Sequence, residues 1–291
     1  MKTCAYKFRN GEKCREETWQ NSEFCIIHIE LPEDEESGEF KRINELKDKK
    51  VEEKLIQKEF NFEGAKLFEV DFSGMKIKNT LDFSHAIIRK DALFEGAMIG
   101  GDALFEGAMI GGDALFEGAT IGRDARFGEA TILGDALFGR ARIGRYALFG
   151  RAKIGKIVNF DLTEIKGTLS FKDTTFENPE SQEHACRKAK NIWAKLGDRV
   201  EENYHHYSEM EAKRKQKNPI IKFLELPIQY IFGYGTKIKP TFIIWFLIVS
   251  VSVLSFWIGN GIYQLVSYIL AIIAAIMGAL FVTIFARRYM R

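Results

Sequence analysis

The chain has 291 residues, with 42 Lys and Arg against 40 Asp and Glu, a formal net charge of +2. That balance gives no global field that would point to one class of partner, and four Cys, three of them before residue 26, exclude a disulfide scaffold. The charge is segregated, however: residues 240–286 carry none, Asp91 to Thr120 holds six acidic and no basic residues, and Arg123 to Lys156 holds eight basic and three acidic.

Residues 1–30 contain Cys4, Cys14, Cys25 and His28, spaced C-x9-C-x10-C-x2-H. Three thiolates and one imidazole make a closed tetrahedral set of the structural kind, and Gly11 supplies a turn beside Cys14. The segment is too short to hold a core, so a structural zinc ion is expected to supply the missing folding energy. No fifth ligand candidate lies nearby, so a catalytic zinc is not expected. The segment resembles the short C…G…C…C-x2-H zinc modules of several eukaryotic and archaeal proteins. Loss of a ligand is expected to unfold residues 1–29 and spare the rest. The opening MKTCAYKFRNGEKC has no apolar run, so no signal peptide is expected.

Residues 31–60 begin with Pro32 and the acidic run Glu33 to Glu36, a solvated linker. Phe40, Ile43, Leu46, Val51 and Leu55 then predict an amphipathic helix, a candidate cap for the segment after it.

Residues 61–177 hold the organising pattern. Phe72, Phe83, Phe94, Phe105, Phe116, Phe127, Phe138, Phe149, Phe160 and Phe171 fall eleven residues apart, and Ile77 to Ile165 form a second ladder with the same period. An Ala precedes most rungs by two places, as at Ala92, Ala97, Ala103 and Ala108. A fixed internal period marks a stacked repeat. Steps of five and six, with Gly100, Gly101, Gly111 and Gly112 between them, do not suit a helix. Each step reads as a short strand and a corner. With four steps to a coil, a coil takes about 22 residues and rises roughly 4.8 Å, so five coils make a rod about 24 Å tall. The unit resembles the pentapeptide-repeat family, which implies a right-handed quadrilateral β-solenoid. Asp91, Asp102, Asp113, Asp124 and Asp135 recur every eleven residues. They are expected to bond their own turn backbone and stay solvated. The basic half of the rod, with Arg140, Arg142, Arg145 and Arg151, is expected to face anionic lipid.

Residues 178–218 lose the Gly and the period. Ala185, Ala189, Ile192, Trp193 and Leu196 make one helical face, Gly197 breaks it, and Val200, Tyr204, Tyr207 and Met210 mark a second helix. His184, His205 and His206 are read as ordinary helix residues rather than ligands, since His205 and His206 are adjacent and point different ways. Lys213, Arg214, Lys215 and Lys217 approach the next segment as a basic run expected to meet lipid headgroups. Residues 219–239 predict an interfacial helix kinked at Pro227.

In residues 240–291, two apolar stretches, 241–258 and 262–286, are each long enough to cross roughly 30 Å of hydrocarbon at about 1.5 Å per residue. Gly259-Asn260-Gly261 makes the hairpin between them. Lys237 and Lys239 at one end, with Arg287, Arg288 and Arg291 at the other, place both termini in the cytoplasm. Ala271, Ala275 and Ala279 suit close helix packing and self-association. The runs ACRKAKNIWAKLGD, LPIQYIFGYGTKIKP and FARRYMR resemble the C-terminal part of prokaryotic pentapeptide-repeat proteins that end in a two-helix potassium-channel module. That family's T-x-G-[YF]-G filter is missing; GNGIYQLVSYIL stands in its place. Selectivity needs filter carbonyls, so the resemblance does not carry potassium conduction with it.

The sequence therefore predicts a mainly β protein with an α-helical membrane part in the cell membrane. It reads as a non-enzymatic scaffold whose partners are the lipid bilayer, copies of itself and an unidentified cytoplasmic protein. Nucleic acid is not expected as a partner. The alternative is an ion-channel-like subunit.

Overall fold

A computed structural model describes residues 2–222, 246–251, 268–276 and 278–279. The chain divides into two compact units, Met1–Leu196 and Gly197–Arg291.

The first unit is built on the eleven-residue ladder. Two-residue strands pair in parallel with strands 22 residues away, as in Ala114↔Ala136 and Ile121↔Ile143. The pairs make four sheets of six, five, five and five strands, one per side of the coil. The first side runs from Lys66–Leu67 to Thr175–Phe176, and the second from Val70–Asp71 through Ala92–Leu93, Ala114–Leu115 and Ala136–Leu137 to Val158–Asn159. The third runs from Lys76–Ile77 to Glu164–Ile165, and the fourth from Leu81–Asp82 through Ala103–Leu104, Ala125–Arg126 and Ala147–Leu148 to Leu169–Ser170. The coil visits them in that order, so the second and fourth sides are opposite.

The interior follows from residue size. Phe rings one coil apart stack nearly parallel, Phe94 on Phe116 at 4.7 Å and Phe116 on Phe138 at 4.9 Å. Rings half a coil apart meet edge to face, Phe105 with Phe116 at 5.6 Å and 89°. Both arrangements are favoured by the ring quadrupole. The Ala of each step is fully buried where a larger side chain would collide with the rings, and the Ile ladder fills the other two sides.

Corners are set by contact between coils. A Cβ on Gly111 would lie 2.2 Å from the carbonyl oxygen of Arg89, one coil below. Gly118 is glycine for a different reason: its φ is +66°, with open space around it. The aspartates differ from expectation. Asp91 Oδ1 accepts from the amide of Asp113 at 2.7 Å, Asp113 from Asp135 at 2.8 Å and Asp135 from Ile157 at 2.9 Å. Asp102 likewise receives the amide of Asp124. Each side chain thus ties its coil to the next rather than closing its own turn. Asp124 is not solvated but 1% exposed, with Arg126 at 2.9 Å. The arginines of the basic half are spread over two sides. Arg142 lies on the third side, while Arg145 and Arg151 flank Ala147–Leu148 on the fourth. They pair with Glu164, Asp124 and Glu129 of neighbouring coils.

Two helices accompany the rod, and a third lies in the second unit. Helix α1 (Gly38–Ile56) is N-capped by Ser37, whose hydroxyl accepts from the amide of Phe40. Helix α2 (Pro179–Leu196) covers the last coil. Ala185, Ala189, Ile192 and Trp193 pack on the core, Trp193 Nε1 donates to Leu169 O at 2.9 Å, and Lys188 Nζ donates to Thr163 O at 3.0 Å. Helix α3 (Arg199–Gln216), N-capped by Asp198, belongs to the second unit and buries His205, Glu209 and Ala212. Burial pulls His205 below its ordinary value. Residues 246–251 and 268–276 are helical, as are 219–222 at the start of the expected interfacial helix. The rest of that helix, and most of the hairpin over 241–258 and 262–286, lie outside the described residues. Among the described residues no helix is long and apolar enough to cross a membrane.

Phe116→Ala should lower unfolding free energy by about 3–5 kcal/mol in chemical denaturation, because it opens a cavity inside a stacked column; a loss under about 1 kcal/mol would contradict this packing. Gly111→Ala should lower stability by about 1–3 kcal/mol through backbone collision, and more than Gly118→Ala, whose only cost is about 1 kcal/mol for a left-handed alanine. The reverse order would show that the corner can spread.

Candidate metal centre

Residues 3–17 form a small antiparallel hairpin, bridged at Thr3↔Glu17 and Lys7↔Lys13. The amide of Cys4 donates to Glu16 O and that of Cys14 to Tyr6 O, both at 2.9 Å, so the two cysteines face each other across it. The second pair comes from a tight turn in which the amide of His28 donates to Cys25 O at 3.0 Å. The amide of Cys25 points at Cys4 Sγ, 3.3 Å away.

The four side chains converge. His28 Nδ1 lies 3.1 Å from Cys25 Sγ and 3.5 Å from Cys4 Sγ, and Cys14 Sγ lies 3.9 Å from Cys25 Sγ. All four ligand atoms fall within 4.8 Å of one another and all four residues are buried. A tetrahedral ion with metal–sulfur bonds of about 2.3 Å and metal–nitrogen bonds of about 2.0 Å would place its ligands roughly 3.5–3.8 Å apart. The observed separations straddle that range. Among the described residues this is the one group of metal-suited side chains.

The imidazole is oriented for the task. His28 Nε2 lies 3.0 Å from Glu63 O, an atom that can only accept, so Nε2 carries the proton and Nδ1 presents its lone pair to the sulfurs. Tyr6 stacks on the ring at 4.1 Å. Cys25 is pushed up to about 11 by its thiol contact with Cys14 and by burial. Burial also raises Cys4, while the hydrogen bond from Cys25 lowers Cys14. Three touching thiols cannot all ionise without a cation among them, so metal uptake here would release protons.

The hairpin is not a free head. Arg9 donates its amide to Glu63 Oε1 and its guanidinium to Glu106, both at 2.7 Å. The amide of Lys66, on the exposed edge of the first side, donates to Ile27 O at 2.9 Å. Arg89 of the second coil donates to the carbonyls of Leu31 and Pro32. Lys47 of α1 is fully buried and donates to Ile26 O at 2.6 Å and Ile29 O at 2.8 Å, gripping the loop that carries Cys25 and His28. Burial pulls Lys47 down to about 7. The metal loop, α1 and the first coil are packed together, so loss of a ligand is expected to loosen the first coil as well as residues 1–29. Spacing revealed the four ligands. It had no signal for Lys47 or Glu63, whose roles depend on contacts across 18 to 54 residues.

Cys25→Ser, or treatment with a strong chelator, should abolish near-stoichiometric zinc content. It should also speed amide hydrogen exchange at Lys66, Leu67 and Val70 along with the hairpin. Exchange confined to residues before 31 would show that the hairpin and rod are independent.

Residues 105–153 match the family model of pentapeptide repeats (9 copies). No curated protein and no solved structure matches the chain. The four-sided coil and its paired ladders are those of a β-solenoid, and its residues 105–153 carry pentapeptide repeats.

Proposed function

We propose that the chain is a zinc-capped, non-enzymatic scaffold whose solenoid presents binding surfaces while residues 240–291 hold it at the cell membrane. The zinc ion would sit on Cys4, Cys14, Cys25 and His28 and act structurally, since four protein ligands leave no open position. The observation that carries the scaffold reading is closure at both ends. The metal loop covers the first coil and α2 the last, so the sides of the rod are what remains for a partner.

Membrane attachment is supported by the uncharged run 240–286. In its described helical pieces, Phe246, Leu247, Ile269, Ile272 and Ile276 are all more than half exposed. Apolar side chains in that number are costly in water. Lys237, Lys239 and the terminal arginines favour cytoplasmic termini, with self-association through the small-residue stripes.

The full chain should sediment with membranes and resist an alkaline wash, while a chain ending at residue 218 should not; a washed-off full chain would overturn the anchor. A second reading, a channel-like subunit, draws on the runs FGYGTKIKP and ARRYMR. Discrete cation currents from the purified full chain in planar bilayers would put that reading first.

A further inference from the structure

The second and fourth sides of the rod are opposite faces of the same coils, and both turn leucines outward. On the second side Leu93, Leu115 and Leu137 stack in register, partly exposed. The corner column before them is Glu69, Asp91, Asp113 and Asp135; the turn column after them contains Glu95, Glu117 and Asp161. No cation stands in these columns. Lys90, next to Asp91, is paired with Glu35, and Arg140 lies one place beyond the turn column.

The fourth side is different. There Leu104 and Leu148 are separated by Arg126, and the acids are matched within the chain. Arg126 pairs with Asp124 and Glu106, Arg123 with Asp102, Arg145 with Asp124 and Arg9 with Glu106. Among the described residues no ion pair reaches the carboxylates of the second side. The fourth side matches its carboxylates with arginines; the second side's aspartates accept backbone amides of the next coil and, among the described residues, pair with no side-chain cation.

Both ends of the second side open into hollows. One, of about 390 Å³, lies between α1 and Val70–Asp71 and is lined by Val51, Leu55, Phe68 and Met75 beside Asp48, Glu52 and Glu69. The other, of about 370 Å³, lies between α2 and Val158–Asn159, lined by Ile157, Leu162 and Ala185 with Asp161, Glu180, His184 and Lys188. The Lys188 ammonium is already turned to backbone carbonyls of the last coils.

Spacing selects the shape of the occupant. The leucine rungs rise about 4.8 Å per coil. A helix laid along the rod repeats its contact stripe every 5.4 Å or so, a mismatch near 1 Å over three rungs. An extended strand repeats one face about every 6.7 Å and slips by nearly 4 Å over the same distance. A helix therefore keeps register with all three leucines and a strand does not.

We propose that the second side docks a basic amphipathic helix of a partner protein. Its apolar stripe lies on Leu93, Leu115 and Leu137, and its lysines or arginines meet the two acidic columns. Five strands span about 19 Å, which a helix of about 13 residues covers at 1.5 Å each. The proposal rests on the scaffold reading and names its partner class.

The test holds the full-length chain on a sensor surface and flows three synthetic peptides at fixed salt: an amphipathic Leu/Lys helix, its Leu/Glu counterpart and a Leu/Lys peptide scrambled to lose the apolar stripe. The Leu/Lys helix should bind best. Leu115→Gln, and separately Glu95→Lys with Glu117→Lys, should each weaken it about tenfold, close to 1.4 kcal/mol. Leu148→Gln on the opposite side should not. Unchanged thermal melting of the variants excludes misfolding. Equal binding of the scrambled peptide, equal loss with Leu148→Gln, or a self-dimer dispersed by Leu115→Gln would each overturn the proposal. Retention of cellular protein partners by the Leu115→Gln chain would overturn it too, while leaving the scaffold reading standing.

Discussion

One distance governs the first unit: the rise of roughly 4.8 Å from a strand to the strand beneath it. Phe rings one coil apart sit 4.7 to 5.4 Å from each other, so the backbone ladder and the aromatic column share a pitch. The same closeness decides the corners. At Gly111 the chain passes so near the coil below that a single carbon would collide with it. It also lets an aspartate side chain reach an amide 22 residues on, as Asp113 does to Asp135. Backbone pairing, ring stacking, glycine corners and aspartate ties are four consequences of one repeat distance. None is available to a single coil, which is why the unit is cooperative only as a stack.

A stack has ends, and the ends need closure. An open terminal coil would show unpaired amides and the face of a Phe ring. The two ends are closed by unlike means. At the start, a metal-suited hairpin lends a carbonyl to Lys66, and α1 sends Lys47 into the loop that carries two of the four ligands. At the finish, α2 lays Ala185, Ala189 and Trp193 on the core and plants Lys188 on backbone carbonyls. A lysine donating to backbone carbonyls serves both ends: fully buried Lys47 on the metal loop and partly buried Lys188 on the last coil.

The rod was legible in the sequence because its determinants are periodic. Phe and Ile at steps of five and six dictate inward positions, and two such periods close a coil of 22 residues. The break at Gly197, between α2 and α3, was legible for a similar local reason. What spacing did not disclose depends on which residues meet after the coil has closed. The aspartates are an example: their partners are remote in sequence, so a turn-local bond was the natural expectation. In α1, the apolar positions predicted a buried stripe, yet Ile43 and Leu46 are only partly buried while Lys47 is wholly so. A charged residue's burial is decided by the carbonyls waiting for it, and these lie in the metal loop.

Since the inward positions are fixed by pitch and size, the outward columns are the only ones free to differ. That freedom explains how the second and fourth sides can share a frame and diverge in chemistry. Both receive one outward residue per coil from the same Ala-x-Phe step, yet one carries Leu115 between Glu117 and Asp113 while the other carries Arg126 against Asp124. An arginine so placed satisfies a nearly buried carboxylate and removes that surface from competition for outside cations. Leucine does the opposite, leaving the flanking acids without a paired cation and an apolar floor between them.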